Sequence, residues 1–469
     1  MFCQLAYLRH CLPARIRRAL AELPQSLDGT YERTLEDIGD QNWEYAHRLF
    51  QCVAAAARPL RVEELAEFLA FDFDGVSTPE YLDDWRPEDP GHSVLSTCSS
   101  LLAIVNVDGS PVIQFTHFLV KEYLTSTRIA KAKDTVSRFH VSMKSAHTIV
   151  AQACLGVLLH LDENVTEESL EKFCLAEYAA EHWVGHARFE DVSRNIKDGM
   201  KRLFDPRNRH LAIWVWIYDP ESPDDRYERP ERPSQARATP LHYAAFCGIC
   251  DVVMFLIVER SQGVNARGFD NGETPLKVAC RTGHLEVARV LLKHDADKEA
   301  RDTGSTDWSP LEFASSVGHV DVVRLLLDHG TDMKAQDKYK NMPLHMASSE
   351  GRTAVVRVLL ERGAAANARN YYDRTPLHLA SNSGSVGCAR VLLEHGVDVD
   401  ARDDQGETPL LKASRYGRLG VARLLLQYNA DVHALDKHGH TPFQNASASG
   451  HHEVMQLLLD HGGGVKEMH

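Results

Sequence analysis

The chain has 469 residues, a length that favours two or three domains over one. Its formal net charge is −14, which argues against general affinity for nucleic acid or acidic membranes, because both require a basic face, but does not exclude a local basic patch. No stretch approaches 18 apolar residues, and the ten cysteines are scattered, so we expect a cytoplasmic protein, or alternatively a nuclear one, with reduced thiols and no membrane span.

The first 21 residues are basic and contain no acidic side chain before Glu22. The apolar spacing predicts an ordinary helix over residues 14–23. An arginine-rich start without acids is also typical of a mitochondrial transit peptide. The residues alone leave both interpretations open. The arginines of this segment are Arg9, Arg15, Arg17 and Arg18.

Apolar periodicity predicts a mostly helical N-terminal half with one β-hairpin. Residues 72–91 are acidic and rich in Pro and Gly, so a loop is expected there. Residues 102–106 and 111–117 alternate in polarity around Asp108-Gly109, which predicts two strands joined by a tight turn. The predicted helices are 43–56, 62–71, 94–102 and 117–126, with two or three more between 137 and 204.

This order of helices and hairpin is that of a winged-helix domain. Residues 219–238 are charged and rich in proline, which predicts a solvated linker. The predicted domains are 1–135 (winged-helix-like), 136–218 (helical), 219–235 (linker) and 236–469 (repeats).

One motif recurs seven times in the C-terminal half, beginning with TPLHYAA at residue 239. Thr before Pro is a helix start, because Thr accepts from free backbone N–H groups and Pro is tolerated in the first turn. A glycine after each motif ends that helix, and a Val/Leu stripe predicts a second one. The motifs start at residues 239, 274, 309, 342, 375, 408 and 441.

These motifs resemble the ankyrin repeat. The resemblance implies a curved α-solenoid in which neighbouring repeats share one core, because a single repeat cannot bury its own apolar face. The expected fold class is therefore mainly α: a winged-helix-like and helical N-terminal part, followed by seven ankyrin repeats.

Some repeats depart from the motif. Its histidine position holds His242, His345 and His378, but Lys277 and Glu312 in two adjacent repeats, which suggests a compensating charge pair. Leu411 and Gln444 fill this position in the last two repeats. Lys340 and Asp373 stand where the usual turn has Gly, so tighter or differently bent tips are expected. The third tip, DTGSTDWS, is longer and should project further.

The N-terminal half resembles the part that follows the ATPase in fungal NACHT–ankyrin proteins, members of the STAND class related to NOD-like receptors. LPQSLDGTYERTL at 23–35, RPLRVEELAEFLAF at 58–71 and FTHFLVKEYL at 115–124 carry the resemblance. It implies that His117 occupies a nucleotide-sensing position. However, the sequence contains no G-x-x-x-x-G-K-[ST] loop to cradle phosphates, so we interpret His117 as a structural histidine.

No motif in the sequence supports catalysis or metal binding. Cys247 and Cys250 form a C-x-x-C, but no second pair accompanies them, and the repeat register explains both as packing residues. No nucleophile, base and orienting residue stand in a recognisable motif. We therefore expect no enzyme activity, no cofactor, no metal and no small-molecule substrate.

A protein partner is the expected ligand, bound at the loop tips and the concave face of the repeats. Exposed Trp, Tyr and Arg dominate protein interfaces. Packing between repeats is the alternative role for Phe313 and Met346. The candidate tip residues are Trp308, Tyr339, Tyr371, Tyr372 and Arg374. The candidate concave-face residues are Phe313, Met346, Arg415 and Tyr416.

The function expected from these features is that of an interaction scaffold or sensor, the remnant of an NLR-like signalling protein. The alternative is a fragment of a nucleotide-dependent STAND switch whose NTPase domain is missing from this chain.

Overall fold

The computed structural model describes residues 25–73, 79–98, 101–223, 236–304 and 307–463. The predicted helix at 14–23 and the basic segment before it lie outside these residues, as do residues 224–235 of the predicted linker. The described residues form two compact units that divide after Ala236.

Helices dominate the N-terminal unit. The α-helices are α1 (Gln25–Glu36), α2 (Trp43–Ala55), α3 (Val62–Glu67), α4 (Pro90–Cys98), α5 (Phe118–Leu124), α6 (Asp134–Ser137), α7 (Met143–His160), α8 (Glu167–Leu170), α9 (Ala176–Ala187), α10 (Val192–Asn195), α11 (Lys197–Phe204) and α12 (His210–Ile217). The strands are β1 (Leu60–Arg61), β2 (Phe71–Asp72), β3 (Glu80–Tyr81), β4 (Leu102–Val107) and β5 (Ser110–Phe115). Three-residue 3₁₀ helices follow α3, β3 and α5 at Phe68–Ala70, Asp83–Trp85 and Ile129–Lys131.

The predicted hairpin is present and carries a third strand. Strand β5 lies between β1 and β4, and both of its partners run antiparallel to it. Asp108 and Gly109 turn the chain with φ values of 50° and 84°, a conformation that suits an Asp-Gly pair. The sequence prediction missed β1, because two residues between helices give no visible alternation.

The expected loop over 72–91 is only partly a loop. Strands β2 and β3 pair antiparallel, with Phe71 opposite Tyr81, and the 3₁₀ helix Asp83–Trp85 follows. Buried Glu67 holds this segment, accepting hydrogen bonds from Tyr81 and Arg86 at 3.0 and 3.1 Å. These side chains come from separate elements, so composition alone indicated only a polar loop. The helix expected at 94–102 also differs, because it ends at Cys98 and Leu102 already belongs to β4.

Helices α7, α9, α11 and α12 pack together and form the core of the second half of this unit. Trp183 and Trp214 lie edge to face there, 5.5 Å apart. Both are buried, and the Trp214 indole donates to the carbonyl of Ala180 at 2.8 Å. The region 137–204 holds more helices than the two or three expected, because α8 and α10 are single turns without an apolar stripe.

The repeat unit consists of seven helix pairs in its described residues. The first helices of the repeats are α13 (Pro240–Cys247), α15 (Pro275–Thr282), α17 (Pro310–Val317), α19 (Pro343–Ser349), α21 (Pro376–Ser383), α23 (Pro409–Arg415) and α25 (Pro442–Ala448). The second helices are α14 (Cys250–Met254, continued by a π-helix at Phe255–Glu259), α16 (Leu285–Lys293), α18 (Val320–Asp328), α20 (Thr353–Glu361), α22 (Val386–Glu394), α24 (Leu419–Gln427) and α26 (His452–Asp460).

Several first helices begin or end as their motif predicts. Thr274 and Thr408 accept from the backbone N–H three residues later, and Pro follows in the first turn. Gly248 ends α13 with φ of 70°, and a Cβ there would lie 2.7 Å from the His284 ring of the next repeat. Glycine is therefore required both for the backbone angle and for the approach of the neighbouring repeat.

The repeats stack helix on like helix. Each first helix packs against the first helix of the next repeat, and each second helix against the next second helix. The motif leucines Leu276, Leu311 and Leu377 are buried in this shared core. The stack therefore has one continuous apolar layer that no single repeat completes.

The predicted pair between Lys277 and Glu312 is not a direct one. Lys277 Nζ instead binds the carboxylate of Asp302, and both side chains are almost fully buried. The Glu312 carboxylate accepts from the backbone N–H of Ser309 at 2.6 Å and so caps its own helix. Lys277 pairs with Asp302 because a buried ammonium needs a direct hydrogen-bonded partner.

Candidate protein-interaction surface

A buried side chain organises the tip of each middle repeat. The Asp337 carboxylate accepts from the backbone N–H groups of Tyr339 and Asn341, at 2.8 and 2.7 Å. Asn370 does the same for Tyr372 and Arg374, both at 3.0 Å. These bonds fix the turn from inside and leave the intervening side chains pointing outward.

Neighbouring tips are also bonded to each other. The backbone N–H of Tyr371 donates to the carbonyl of Tyr339 at 2.8 Å, and that of Asp404 to Tyr372 at 3.0 Å. The Arg369 guanidinium donates across the same gap to the carbonyl of Arg402 at 2.6 Å. The tips of repeats four, five and six therefore form one continuous, hydrogen-bonded edge.

Three tyrosines stand exposed on this edge. Tyr339, Tyr371 and Tyr372 are 44%, 65% and 38% exposed. Tyr371 and Tyr372 meet at right angles, with ring centroids 5.4 Å apart. We call these three side chains the tyrosine tip.

Two cationic side chains support the tyrosine tip. Lys338 Nζ lies 5.0 Å from the Tyr339 ring, and the Arg374 guanidinium lies 5.2 Å from the Tyr372 ring. Arg374 also approaches buried Asp403 at 3.4 Å, which holds it against the repeat. The sequence prediction placed Arg374 among the partner contacts, and in the structure it also braces a tyrosine.

Trp308 and Phe313 form a different environment. Their rings meet edge to face at 4.8 Å, and both side chains are only partly exposed. Lys277 Nζ lies 4.6 Å from the centre of the Phe313 ring. Trp308 therefore packs on its own repeat and offers a partner much less surface than the tyrosine tip.

The concave-face candidates divide in the same way. Met346 is 8% exposed, which favours its alternative role in packing between repeats. Tyr416 is exposed, and Arg415 beside it binds buried Glu407 at 2.6 Å. The motif positions of Met346, Arg415 and Tyr416 are spaced three or four residues apart and so fall on one face of the first helix. Sequence spacing alone therefore did not separate buried from exposed side chains.

The sequence prediction missed a buried charge network under this face. Lys412 Nζ lies 2.9 Å from the Asp403 carboxylate and also binds Glu407, and all three side chains are buried. The sequence did contain a sign of this network. Lys412 occupies a motif position that holds the apolar residues Met346 and Leu379 in the two preceding repeats, and a lysine at such a position needs a buried acidic partner. The network holds Arg415 in place, since Glu407 binds both cations.

His117, Cys247 and Cys250, which the sequence interpretation treated as structural residues, have the following environments. His117 caps α5, and its Nδ1 accepts from the backbone N–H of Leu119 at 3.2 Å. Cys247 is buried and Cys250 half-buried, and burial raises the pKa of the Cys250 thiol. Among the described residues, no group of three or more His, Cys, Asp or Glu side chains is arranged to hold a metal ion.

The family model for ankyrin repeats (3 copies) matches the sequence in five overlapping segments. These segments are 219–302, 241–337, 311–403, 369–436 and 396–468. Together they cover more than half of the chain. The chain belongs to the ankyrin-repeat family.

Three curated proteins show similarity to this ankyrin-repeat chain. Azaphilone pigments biosynthesis cluster protein L of Monascus ruber is 29% identical over 297 residues, 59% of this chain and 61% of that protein. Vegetative incompatibility protein HET-E-1 of Podospora anserina is 24% identical over 196 residues, 37% of this chain and 14% of that protein. The probable E3 ubiquitin-protein ligase XBOS33 of Oryza sativa subsp. japonica is 46% identical over 54 residues, 12% of this chain and 10% of that protein.

The chain therefore spans less than two thirds of each of these relatives. The Monascus match covers 59% of the chain, more than the half that the ankyrin repeats occupy, so it extends into the N-terminal unit. Among the described residues, no helix is both long enough and apolar enough to cross a bilayer.

Proposed function

We propose that this ankyrin-repeat protein is an interaction scaffold that binds a partner protein through the tyrosine tip. The observation that carries the proposal is the exposure of Tyr339, Tyr371 and Tyr372 on one hydrogen-bonded edge. Isolated exposed aromatics are ordinary, but three on adjacent tips form the kind of cluster that anchors an interface.

The rigidity of the tips supports this role. The backbone of each tip is bonded to Asp337 or Asn370 from inside and to its neighbour from the side. A partner would therefore order few new torsions when it binds, and less conformational entropy would oppose association. Tyrosine adds a large contact area with only two side-chain torsions.

We further propose that the repeats act as the sensing arm of an NLR-like signalling protein. The similarity to HET-E-1, a protein named for vegetative incompatibility, supports this assignment. In this proposal residues 1–135 form the winged-helix-like domain, 136–218 the helical domain and 219–235 the linker to the repeats. Apart from the short β2-β3 pair, the chain order is α2, β1, α3, α4, β4, β5, and the sheet order is β1-β5-β4. This arrangement is compatible with a winged helix.

The second candidate is a fragment of a nucleotide-dependent switch. It is favoured by one observation, namely that the match to HET-E-1 covers only 14% of that protein. Binding of ATP or ADP by this chain would contradict the scaffold proposal, because its sequence has no phosphate-binding loop. An open reading frame with that loop, continuous with the start of this chain, would favour the switch.

The scaffold proposal is tested by a triple variant, Tyr339→Ala, Tyr371→Ala and Tyr372→Ala. Affinity purification with quantitative mass spectrometry should show at least about a tenfold loss of co-purified partners, because interface tyrosines each contribute over about 1 kcal/mol. Tyr428→Ala is the matched control, since Tyr428 is exposed to the same degree as Tyr372 but lies after α24. Equal partner recovery by the triple variant and the control, with unchanged circular dichroism, would refute the proposal.

A further inference from the structure

An open groove in the N-terminal unit is lined by two exposed aromatic side chains. Its volume is about 450 Å³. Tyr45, from the first turn of α2, and Trp85, from the 3₁₀ helix after β3, are 44% and 47% exposed. We call it the Tyr45–Trp85 groove. The lining residues are Tyr45, Leu69, Trp85, Pro87, Ser93 and Ser96.

The segment that carries Trp85 is held in place by hydrogen bonds. The backbone N–H of Leu82 donates to the carbonyl of Ala70 at 2.9 Å, which joins the two 3₁₀ helices. Arg86, directly after Trp85, binds the buried Glu67 carboxylate at 3.1 Å. Glu67 also accepts from the backbone N–H of Leu175 at 2.6 Å. Trp85 is thus exposed on a fixed segment, and the groove exists before any ligand arrives.

Acidic residues neighbour the lining residues in the sequence. Residues 80–91 contain five acidic side chains and one basic side chain, Arg86, which is turned toward Glu67. Glu44 precedes Tyr45, Asp84 precedes Trp85, and Glu88 follows Pro87. Among the described residues, no salt bridge neutralises Glu44, Asp84 or Glu88.

A second basic residue of this region, Arg48, is also engaged elsewhere. Arg48, one turn after Tyr45 on α2, donates to the carbonyl of Phe71 at 3.4 Å. Its guanidinium lies 4.5 Å from the Phe73 ring. The groove therefore combines two exposed aromatic side chains with an excess of acidic residues in the segment that carries Trp85.

We propose that the Tyr45–Trp85 groove binds a basic segment of another protein, in which Arg or Lys flanks an apolar side chain. The apolar side chain would lie on Leu69 between the rings, and the cations would meet the aromatic faces and the neighbouring carboxylates. Aromatic faces attract cations through the ring quadrupole, and the acidic residues add a longer-range attraction that salt screens. An acidic segment of the same shape is repelled.

A second copy of this chain is a poorer occupant. The chain carries a net charge of −14, so two copies repel one another on average, and the acidic segment that carries Trp85 increases that repulsion. This site is independent of the tyrosine tip, which lies in the repeat unit.

Fluorescence anisotropy with two labelled peptides tests the proposal on the full chain. The first peptide alternates arginine pairs with leucine, and the second has glutamate in place of every arginine. We expect the chain to bind the first peptide and not the second. Trp85→Ala and Tyr45→Ala should each weaken binding about tenfold, the loss of one interface anchor. The triple tyrosine-tip variant should bind like the parent, so a failure here is separate from a failure of the scaffold proposal.

The charge component is tested by the double variant Asp84→Asn and Glu88→Gln. It should weaken binding of the arginine peptide and reduce the dependence of affinity on salt. Glu168→Gln is the matched control, because Glu168 is an exposed acid of the same unit on α8. Circular dichroism and thermal melting identify any variant that fails to fold. If Trp85→Ala does not fold, the test rests on Tyr45→Ala.

Three outcomes would overturn the proposal. The first is equal binding of the arginine and glutamate peptides. The second is unchanged affinity in both folded alanine variants. The third is a dimer in sedimentation analysis that Trp85→Ala dissociates, which would assign the groove to a second copy of the chain.

Discussion

At the scale of single residues, the tips of repeats four and five tolerate non-glycine residues in a left-handed backbone. Lys340 and Asp373 have φ values of 58° and 53°, close to those of Gly272 and Gly406 in the equivalent turns, 68° and 73°. The expectation of differently bent tips is therefore wrong at the backbone. The internal bonds from Asp337 and Asn370 impose the same turn whichever residue follows.

This strain gives a stability prediction. Lys340→Gly and Asp373→Gly should each raise the free energy of unfolding by about 0.5–1 kcal/mol. The left-handed conformation costs an L-residue roughly 1–2 kcal/mol, and the extra freedom of glycine in the unfolded chain offsets part of that gain. Urea unfolding measures the change.

The control for this prediction is Lys338→Gly, in the same tip but without a positive φ. It should lower stability slightly, because only the entropy cost of glycine remains. Stabilisation by Lys338→Gly equal to that by Lys340→Gly would show that backbone strain is not the cause.

At the scale of elements, histidines join the start of a first helix to the next repeat. In His378, Nδ1 accepts from the backbone N–H of Thr375 at 3.1 Å, and Nε2 donates to the carbonyl of Glu407 at 3.0 Å. Both contacts together require the neutral ring. His345 makes the equivalent contacts with Met342 and Arg374.

These histidines predict that acid destabilises the repeats. Burial lowers the pKa of His345 and of His378 to about 4, from 6.5. Between these values the unfolded chain binds protons that the folded chain does not, so stability falls as pH falls from about 6.5 toward 4. The full effect approaches about 3 kcal/mol per histidine. Urea unfolding at pH 7, 6 and 5 measures it.

His378→Gln tests the origin of this dependence. Glutamine suits the position, because Gln444 fills it in repeat seven and accepts from the backbone N–H of Thr441 at 2.8 Å. The variant should lose part of the slope between pH 6.5 and 4, whereas the surface variant His433→Gln should keep it. An unchanged slope in His378→Gln would assign the acid sensitivity to other groups.

At the scale of the whole molecule, the repeats share their core unequally. Leu393 and Leu426, near the ends of α22 and α24, are 5% and 9% exposed because the next repeat covers them. Leu459, in the equivalent position of α26, is 45% exposed. A solenoid is stabilised by contacts between neighbouring repeats, and within the described residues repeat seven has a neighbour on one side only.

Repeat seven should therefore open more readily than the middle of the stack. Amide hydrogen exchange over residues 452–460 should be at least about tenfold faster than over 386–394, because losing one interface lowers the local opening free energy by over about 1.4 kcal/mol. Mass spectrometry after partial labelling resolves the two helices. Equal protection of both would contradict the prediction.

Much of the repeat unit was determined by the sequence. The Thr-Pro starts and the turn glycines act within a few residues, so they placed the first helices closely, and the family match confirms the ankyrin repeats. The Asp108-Gly109 turn is equally local, and the hairpin was predicted for that reason. His117 was interpreted as structural, and it caps α5.

Only the tertiary structure decided which side chains of one pattern face solvent and which partner a buried charge takes. Met346 and Tyr416 were both assigned to the concave face, but the packing of neighbouring repeats buries Met346 and leaves Tyr416 exposed. Lys277 pairs with Asp302 rather than Glu312, because side-chain reach and burial depend on how repeats stack. Sequence periodicity specifies contacts within a turn or two of the chain, whereas exposure and ion pairing depend on residues more distant in the sequence.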